Sequence, residues 1–74
     1  MKHKKKELKD ILRQLRKENG LSRKKVGEIV GSNERNYANW EQGTSNPKIE
    51  YLIALSEFYN VTIDYLVGHE NKKK

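Results

Sequence analysis

The side chains in this chain that could do chemistry are cations, carboxylates and amides, and their arrangement argues for binding rather than catalysis. Its two histidines, His3 and His69, both sit in polar end segments, and it contains no Cys. There is no His-Glu-x-x-His, no glycine-rich phosphate loop and no serine at a strand-to-helix elbow. No local pattern therefore assembles a metal centre or an activated nucleophile, and we expect no catalytic residue, metal ligand or cofactor.

The cations are unevenly spread. Lys2, Lys4, Lys5 and Lys6 at one end and Lys72, Lys73 and Lys74 at the other account for seven of the 16 basic residues. Residues 7–71 hold the remaining nine basic residues against all ten acidic ones. Within that body, residues 7–35 carry eight basic and five acidic side chains, whereas 36–71 carry Lys48 alone against five acids. A polyanion is drawn to the first half and its lysine arm, with the acidic half turned away.

The elements that must position these groups come from a chain of 74 residues, 34% hydrophobic and 35% charged. Seven Leu, five Ile, four Val and one Phe make 17 of the 74 residues, about 23%, just above the roughly 20% below which highly charged chains stay disordered. A domain of this size buries only about 60% of its unfolded surface, and without Cys it has neither a disulfide nor a thiolate zinc site as a staple. Dimerisation is the remaining support. No apolar run approaches the roughly 18 residues of a membrane span, and none follows Met1–Lys6 to make a signal peptide. We expect a cytoplasmic protein with no membrane partner, divided into a basic arm (1–6), one domain (7–68) and a basic tail (69–74).

Apolar periodicity predicts five helices and no strand. Leu8, Ile11, Leu12 and Leu15 form one stripe of a first helix, which Asn19-Gly20 ends as a left-handed cap. Ser22 caps a second helix carrying Val26, Ile29 and Val30, which ends at Gly31. Asn33 caps a third, over 33–42, with Tyr37 and Trp40 on its inner face and Gly43 after it. After turn chemistry at Thr44-Ser45-Asn46-Pro47, with Pro47 suited to a first helical turn, a fourth helix runs to Asn60. Its apolar positions Ile49, Leu52, Ile53, Leu55, Phe58 and Tyr59 spread so widely that it is expected to lie mostly buried. Thr62 caps a short fifth helix with Ile63, Leu66 and Val67, stopped by Gly68.

Between the second and third helices, Gly31-Ser32-Asn33 makes the tight turn of a helix-turn-helix unit, with Gly31 in the left-handed conformation. Gly27, inside the second helix, costs up to about 1 kcal/mol against Ala, which is explained if the third helix approaches closely there. The run Gly20-Leu21-Ser22, Val26-Gly27-Glu28-Ile29-Val30-Gly31, Tyr37, Trp40-Glu41-x-Gly43, Asn46-Pro47 and Asn60-Val61-Thr62-Ile63-Asp64-Tyr65-Leu66 resembles a phage-repressor and Cro-like (Xre-type), lambda-repressor-like DNA-binding domain. The resemblance covers about residues 7–68.

The resemblance implies an all-α, compact five-helix fold with the helix-turn-helix at helices 2 and 3, and double-stranded DNA as the partner, so that the cytoplasmic protein is expected to be nucleoid-associated. It places the third helix in the major groove, with Asn33, Glu34, Arg35, Asn36, Ala38 and Asn39 towards the bases. The chemistry suits this: Arg pairs bidentately with guanine, Asn with adenine, and Glu accepts from cytosine. Glu34 equally suits the first turn of any helix, and for Arg35 and Asn39 the alternative to base contact is a solvated face. Phosphate contacts are implied for Arg23, where the family usually has Gln, and for Lys24, Thr44, Ser45, Asn46 and Lys48. Arg16 and Glu41 match a family pair that ties the first helix to the third. Ser32, Tyr37 and Ser56 depart from the family's usual apolar plug, branched aliphatic and Ala.

The family habit of pairing through its C-terminal helix makes Val61, Ile63, Tyr65, Leu66 and Val67 the expected homodimer surface. The expected activity is sequence-specific repression from a palindromic operator. A chain of this length leaves no room for a second, sensing domain, so no small-molecule ligand is expected. Two alternatives stand beside this. The first is an antitoxin-type or other protein-interaction module using the acidic half. The second is membrane-surface binding by the first helix, with Lys9, Arg13, Arg16 and Lys17 around its apolar stripe.

Overall fold

The computed structural model describes residues 7–68, and the expected N-terminal arm and C-terminal tail lie outside them. The order is α1 (Leu8–Glu18), α2 (Arg23–Ile29), α3 (Glu34–Gln42), α4 (Ile49–Tyr59) and α5 (Ile63–Leu66). Among the described residues every regular element is a helix, and none is long and apolar enough to cross a membrane.

The caps expected from sequence are formed. Ser22 Oγ accepts from the Lys25 N–H at 3.0 Å, Asn33 Oδ1 from Asn36 N–H at 2.8 Å and Thr62 Oγ1 from Tyr65 N–H at 3.0 Å, each satisfying a donor that a helix start leaves open. Pro47 lies two residues before the start of α4 and outside its first turn, because Lys48 is the capping residue that precedes Ile49. Ser56, where Ala is usual in the family it resembles, satisfies its hydroxyl by donating to the Ile53 carbonyl at 2.8 Å.

The core is the side where the helices meet. Ile11, Leu12 and Leu15 of α1 face Val26 and Val30 from the second helix and its cap, Tyr37 and Trp40 of α3, Leu55 of α4 and Leu66 of α5. Trp40 links the halves: its ring lies 5.9 Å from Tyr37, edge-on, and 5.3 Å from Tyr51 of α4, both within the range of favourable aromatic contacts. In the chain's first half α3 packs on α2 and α1, while α5 packs on α4 and α1.

Two sequence expectations are corrected. α4 is not mostly buried: Leu55 is its one fully buried residue, and Ile49, Ile53 and Phe58 are 61%, 43% and 42% exposed. A wide apolar face shows what a helix could bury, but among the described residues the other helices leave Ile49, Ile53 and Phe58 uncovered. Leu66, expected on a pairing surface, is fully buried and belongs to the core. In a one-turn helix, the residue that anchors the turn cannot also face outward.

Candidate nucleic-acid interface

The turn between α2 and α3 is set by two glycines for different reasons. Gly31 has φ +84° with open space around it, a conformation that other residues adopt only with strain. The turn then closes with the Ser32 N–H donating to the Gly27 carbonyl at 2.7 Å. Gly27 is needed for space: a Cβ there would lie 2.5 Å from the Asn33 carbonyl oxygen. The close approach expected from sequence is therefore made by the backbone of the residue that caps α3.

With α3 fixed this way, Tyr37, Trp40 and Glu41 point into the protein. Helical periodicity puts Arg35, Asn39 and Gln42 at the centre of the opposite face, with Ala38 beside them and Glu34 and Asn36 at its edges. Asn33, Glu34, Arg35, Asn36 and Gln42 are exposed, and Ala38 and Asn39 are half-buried. Gln42 was not among the sequence candidates, though its spacing of seven from Arg35 was the available signal. Asn36 is partly committed to the turn, donating from Nδ2 to Ser32 Oγ at 3.1 Å. This gives the polar Ser32 a partner where the family it resembles has an apolar residue.

Behind that face lies a buried charge cluster. Glu41 is 1% exposed. Its Oε2 accepts from Arg16 Nε at 2.5 Å and from the Tyr37 hydroxyl at 2.6 Å, while Oε1 accepts from Arg16 Nη2 at 3.2 Å and Arg23 Nε at 3.3 Å. The expected Arg16–Glu41 pair is thus formed, and Arg16 Nη1 also donates to the Leu21 carbonyl at 3.0 Å, tying the α1–α2 connection into the same cluster. Burial alone would raise the Glu41 pKa, but the hydrogen bonds from Arg16 and Tyr37 and the nearby positive charge outweigh it and hold the carboxyl below its ordinary value. The same carboxylate raises the Arg16 pKa. Burial, followed by the bond to Glu41, pushes the Tyr37 hydroxyl far up, so it stays a donor.

Tyr37 and Arg23 were not read as members of this cluster. For Tyr37 the signal was its place four residues before Glu41 on one helix face. For Arg23 the signal was the family resemblance, in which the Gln usual at that position buttresses the third helix; the charged replacement made that role an open question, and the contact to Glu41 of α3 is formed.

The remaining expected contacts sit at the edges of α3. Lys24, Ser45, Asn46 and Lys48 are exposed. Thr44 is exposed too, but its hydroxyl donates to the Asn39 carbonyl at 3.2 Å and its N–H to the same oxygen at 3.0 Å, so it closes the end of α3. Of the expected pairing residues, Val61, Ile63 and Tyr65 are half-buried and Val67 is exposed. Among the described residues no group of acidic or histidine side chains is placed to hold a metal ion.

Known proteins share this arrangement. A family model described as helix-turn-helix matches residues 12–66. The cryptic phage CTXphi transcriptional repressor RstR of Vibrio cholerae is 38% identical over 57 residues, covering 77% of this chain and 51% of RstR. A transcriptional regulator from Listeria innocua superposes with a TM-score of 0.82 at 31% identity, covering 92% of this chain and 64% of that one. The P22 c2 repressor, solved in complex with a synthetic operator, superposes with a TM-score of 0.81 at 26% identity, covering 86% of this chain and 97% of the repressor. The chain spans about half the length of the curated relatives it matches.

Proposed function

The chain belongs to the helix-turn-helix family, and we propose that it binds double-stranded DNA sequence-specifically and acts as a transcriptional repressor. The observation that carries this reading is the two-sidedness of α3. Its inner face is locked by a buried ion cluster and two core aromatics, while its outer face presents Arg35, Asn39 and Gln42, which the core does not use. The match to the P22 c2 repressor, solved on an operator, supports placing that outer face in the major groove.

In this reading Arg35 and Asn39 address base edges, with Asn33, Glu34, Asn36 and Ala38 around them. Arg23, Lys24, Ser45, Asn46 and Lys48 grip phosphates, Arg23 and Lys24 standing in the first turn of α2, within the helix-turn-helix itself. Thr44 serves this grip by ending α3. The protein works in the cytoplasm as a homodimer, with Val61, Ile63, Tyr65 and Val67 at the pairing surface. The exposed Ile49, Ile53 and Phe58 supply apolar area a monomer leaves uncovered. Two such copies read half-sites about 34 Å apart, one turn of the duplex.

Arg35→Ala and Asn39→Ala test the assignment. Each is expected to remove about 1–3 kcal/mol of discrimination at particular base positions and leave binding to unrelated duplex almost unchanged. Competition binding against a panel of single-base variants measures this. Equal losses on every sequence would mean that these side chains touch phosphates instead.

A further inference from the structure

α4 carries an exposed stripe that neither the core nor the outer face of α3 uses. At about 100° per residue, Ile53 lies about 40° round the helix axis from Ile49, Glu57 about 80° and Glu50 about 100°. Leu55, the buried residue of this helix, lies at about 240°, directly behind the middle of the stripe. Ile49 and Ile53 are 61% and 43% exposed, and Glu50 and Glu57 are exposed as well. Among the described residues neither of these carboxylates is paired with a cation, and residues 36–71 hold Lys48 alone against five acids. The stripe is therefore apolar and negative at once.

Phe58, the third exposed apolar residue of α4, lies about 180° from Ile49, so the uncovered apolar area falls into two patches on opposite flanks. Two copies that pair about a two-fold axis present the same patch to each other. On the isoleucine flank such a contact gathers Glu50 and Glu57 of both copies with no cation among them, and like charges brought together disfavour association. Pairing of two copies therefore draws on the Phe58 flank and leaves the isoleucines uncovered. The same carboxylates disfavour a polyanion there.

We propose that the Ile49–Ile53 stripe docks a basic amphipathic helix of a partner protein. Apolar side chains four apart on that helix cover Ile49 and Ile53, which stand four apart on one ridge of α4. Lys or Arg beside them meets Glu50 and Glu57, and this charge match sets which helices are accepted. The site goes beyond duplex binding, and its test needs no DNA.

The probe is a synthetic helical peptide with Leu at every third and fourth position and Lys elsewhere, titrated calorimetrically against the full chain at physiological salt. A second peptide replaces every Lys by Glu. The Lys peptide is expected to bind at least about tenfold more tightly than the Glu peptide, and Ile53→Ser to weaken it about tenfold. Glu50→Gln with Glu57→Gln is expected to weaken it about threefold to tenfold, whereas Phe58→Ser leaves it unchanged. All four positions are exposed, and thermal melts show that the variants are folded. Equal binding of the two peptides overturns the proposal. Undiminished binding by Ile53→Ser does so too, because plain charge attraction then accounts for the affinity. If sedimentation shows that Ile53→Ser dissociates a pair formed by the wild-type protein, the stripe is covered by a second copy and the partner helix is ruled out.

Discussion

Glu41→Gln is expected to bring the protein to the edge of unfolding at room temperature. The carboxylate is 1% exposed, and its two oxygens receive four hydrogen bonds from Arg16, Tyr37 and Arg23. Gln keeps the shape but offers one accepting oxygen, and it turns an NH2 towards guanidinium donors. The Arg16 side chain, only 13% exposed, is then left as a nearly buried charge without a counter-ion. Removing one partner of such a pair costs about 3–5 kcal/mol. A chain of this length commands roughly 4–11 kcal/mol at about 0.05–0.15 kcal/mol per residue, so the loss takes much of the total.

Urea unfolding measures the effect as a fall in midpoint at constant slope, and a loss under about 1 kcal/mol would contradict it. Removing the cluster as a whole, with Arg16→Met, Tyr37→Phe and Glu41→Leu together, is expected to cost less than Glu41→Gln alone, because no buried charge is stranded. The pH dependence follows from the same group. Because folding lowers the Glu41 pKa from its ordinary 4.5, its contribution is complete above that value and is lost as pH falls through the lower folded value. Acid destabilisation is therefore steeper in the wild-type protein than in Glu41→Gln.

Gly27→Ala is expected to damage sequence reading more than stability. The added Cβ would meet the Asn33 carbonyl oxygen at 2.5 Å and its carbon at 2.6 Å, both backbone atoms at the cap of α3. Ordinary carbon contacts begin near about 3.5 Å, so the start of α3 has to move by about 1 Å. Overpacking of this kind costs about 1–3 kcal/mol, of which Ala returns up to about 1 kcal/mol through helix propensity. Binding geometry tolerates only about 0.5 Å of displacement, so the preference for specific sequence collapses while the fold survives. Gly31→Ala is the control: it pays a backbone cost of about 1–2 kcal/mol for its left-handed φ, but nothing lies within 4 Å to push α3. Melting temperature and the ratio of specific to unrelated duplex affinity, measured together, separate the two. A Gly27→Ala protein that keeps wild-type selectivity would show that the close approach does not set the aim of α3.

What was legible in the sequence was mostly local. Ser22, Asn33 and Thr62 as caps, Gly31 as the turn and the α1 stripe of Ile11, Leu12 and Leu15 depend on neighbours within a few residues, where spacing decides the outcome. Gly27 was legible because glycine inside a helix costs energy that some contact must justify. The exposure of Ile49 and Ile53 was not, since apolar width says nothing about how many neighbours arrive. The burial of Leu66 escaped for the same reason: in one helical turn, periodicity barely separates inside from outside. The Arg16–Glu41 pair was expected only through resemblance, and its extension to Tyr37 and Arg23 depends on three helices converging on one carboxylate. Of the outward face of α3, Gln42 was overlooked although the helical repeat placed it one face with Arg35.

In the proposed function the outer face of α3 reads duplex sequence as one half of a symmetric pair. Selection from a random duplex pool at physiological salt, followed by sequencing of the bound fraction, tests it most directly. The expected result is enrichment of a two-fold-symmetric motif with half-sites one helical turn apart, about 34 Å. A folded protein that enriches no motif would contradict it.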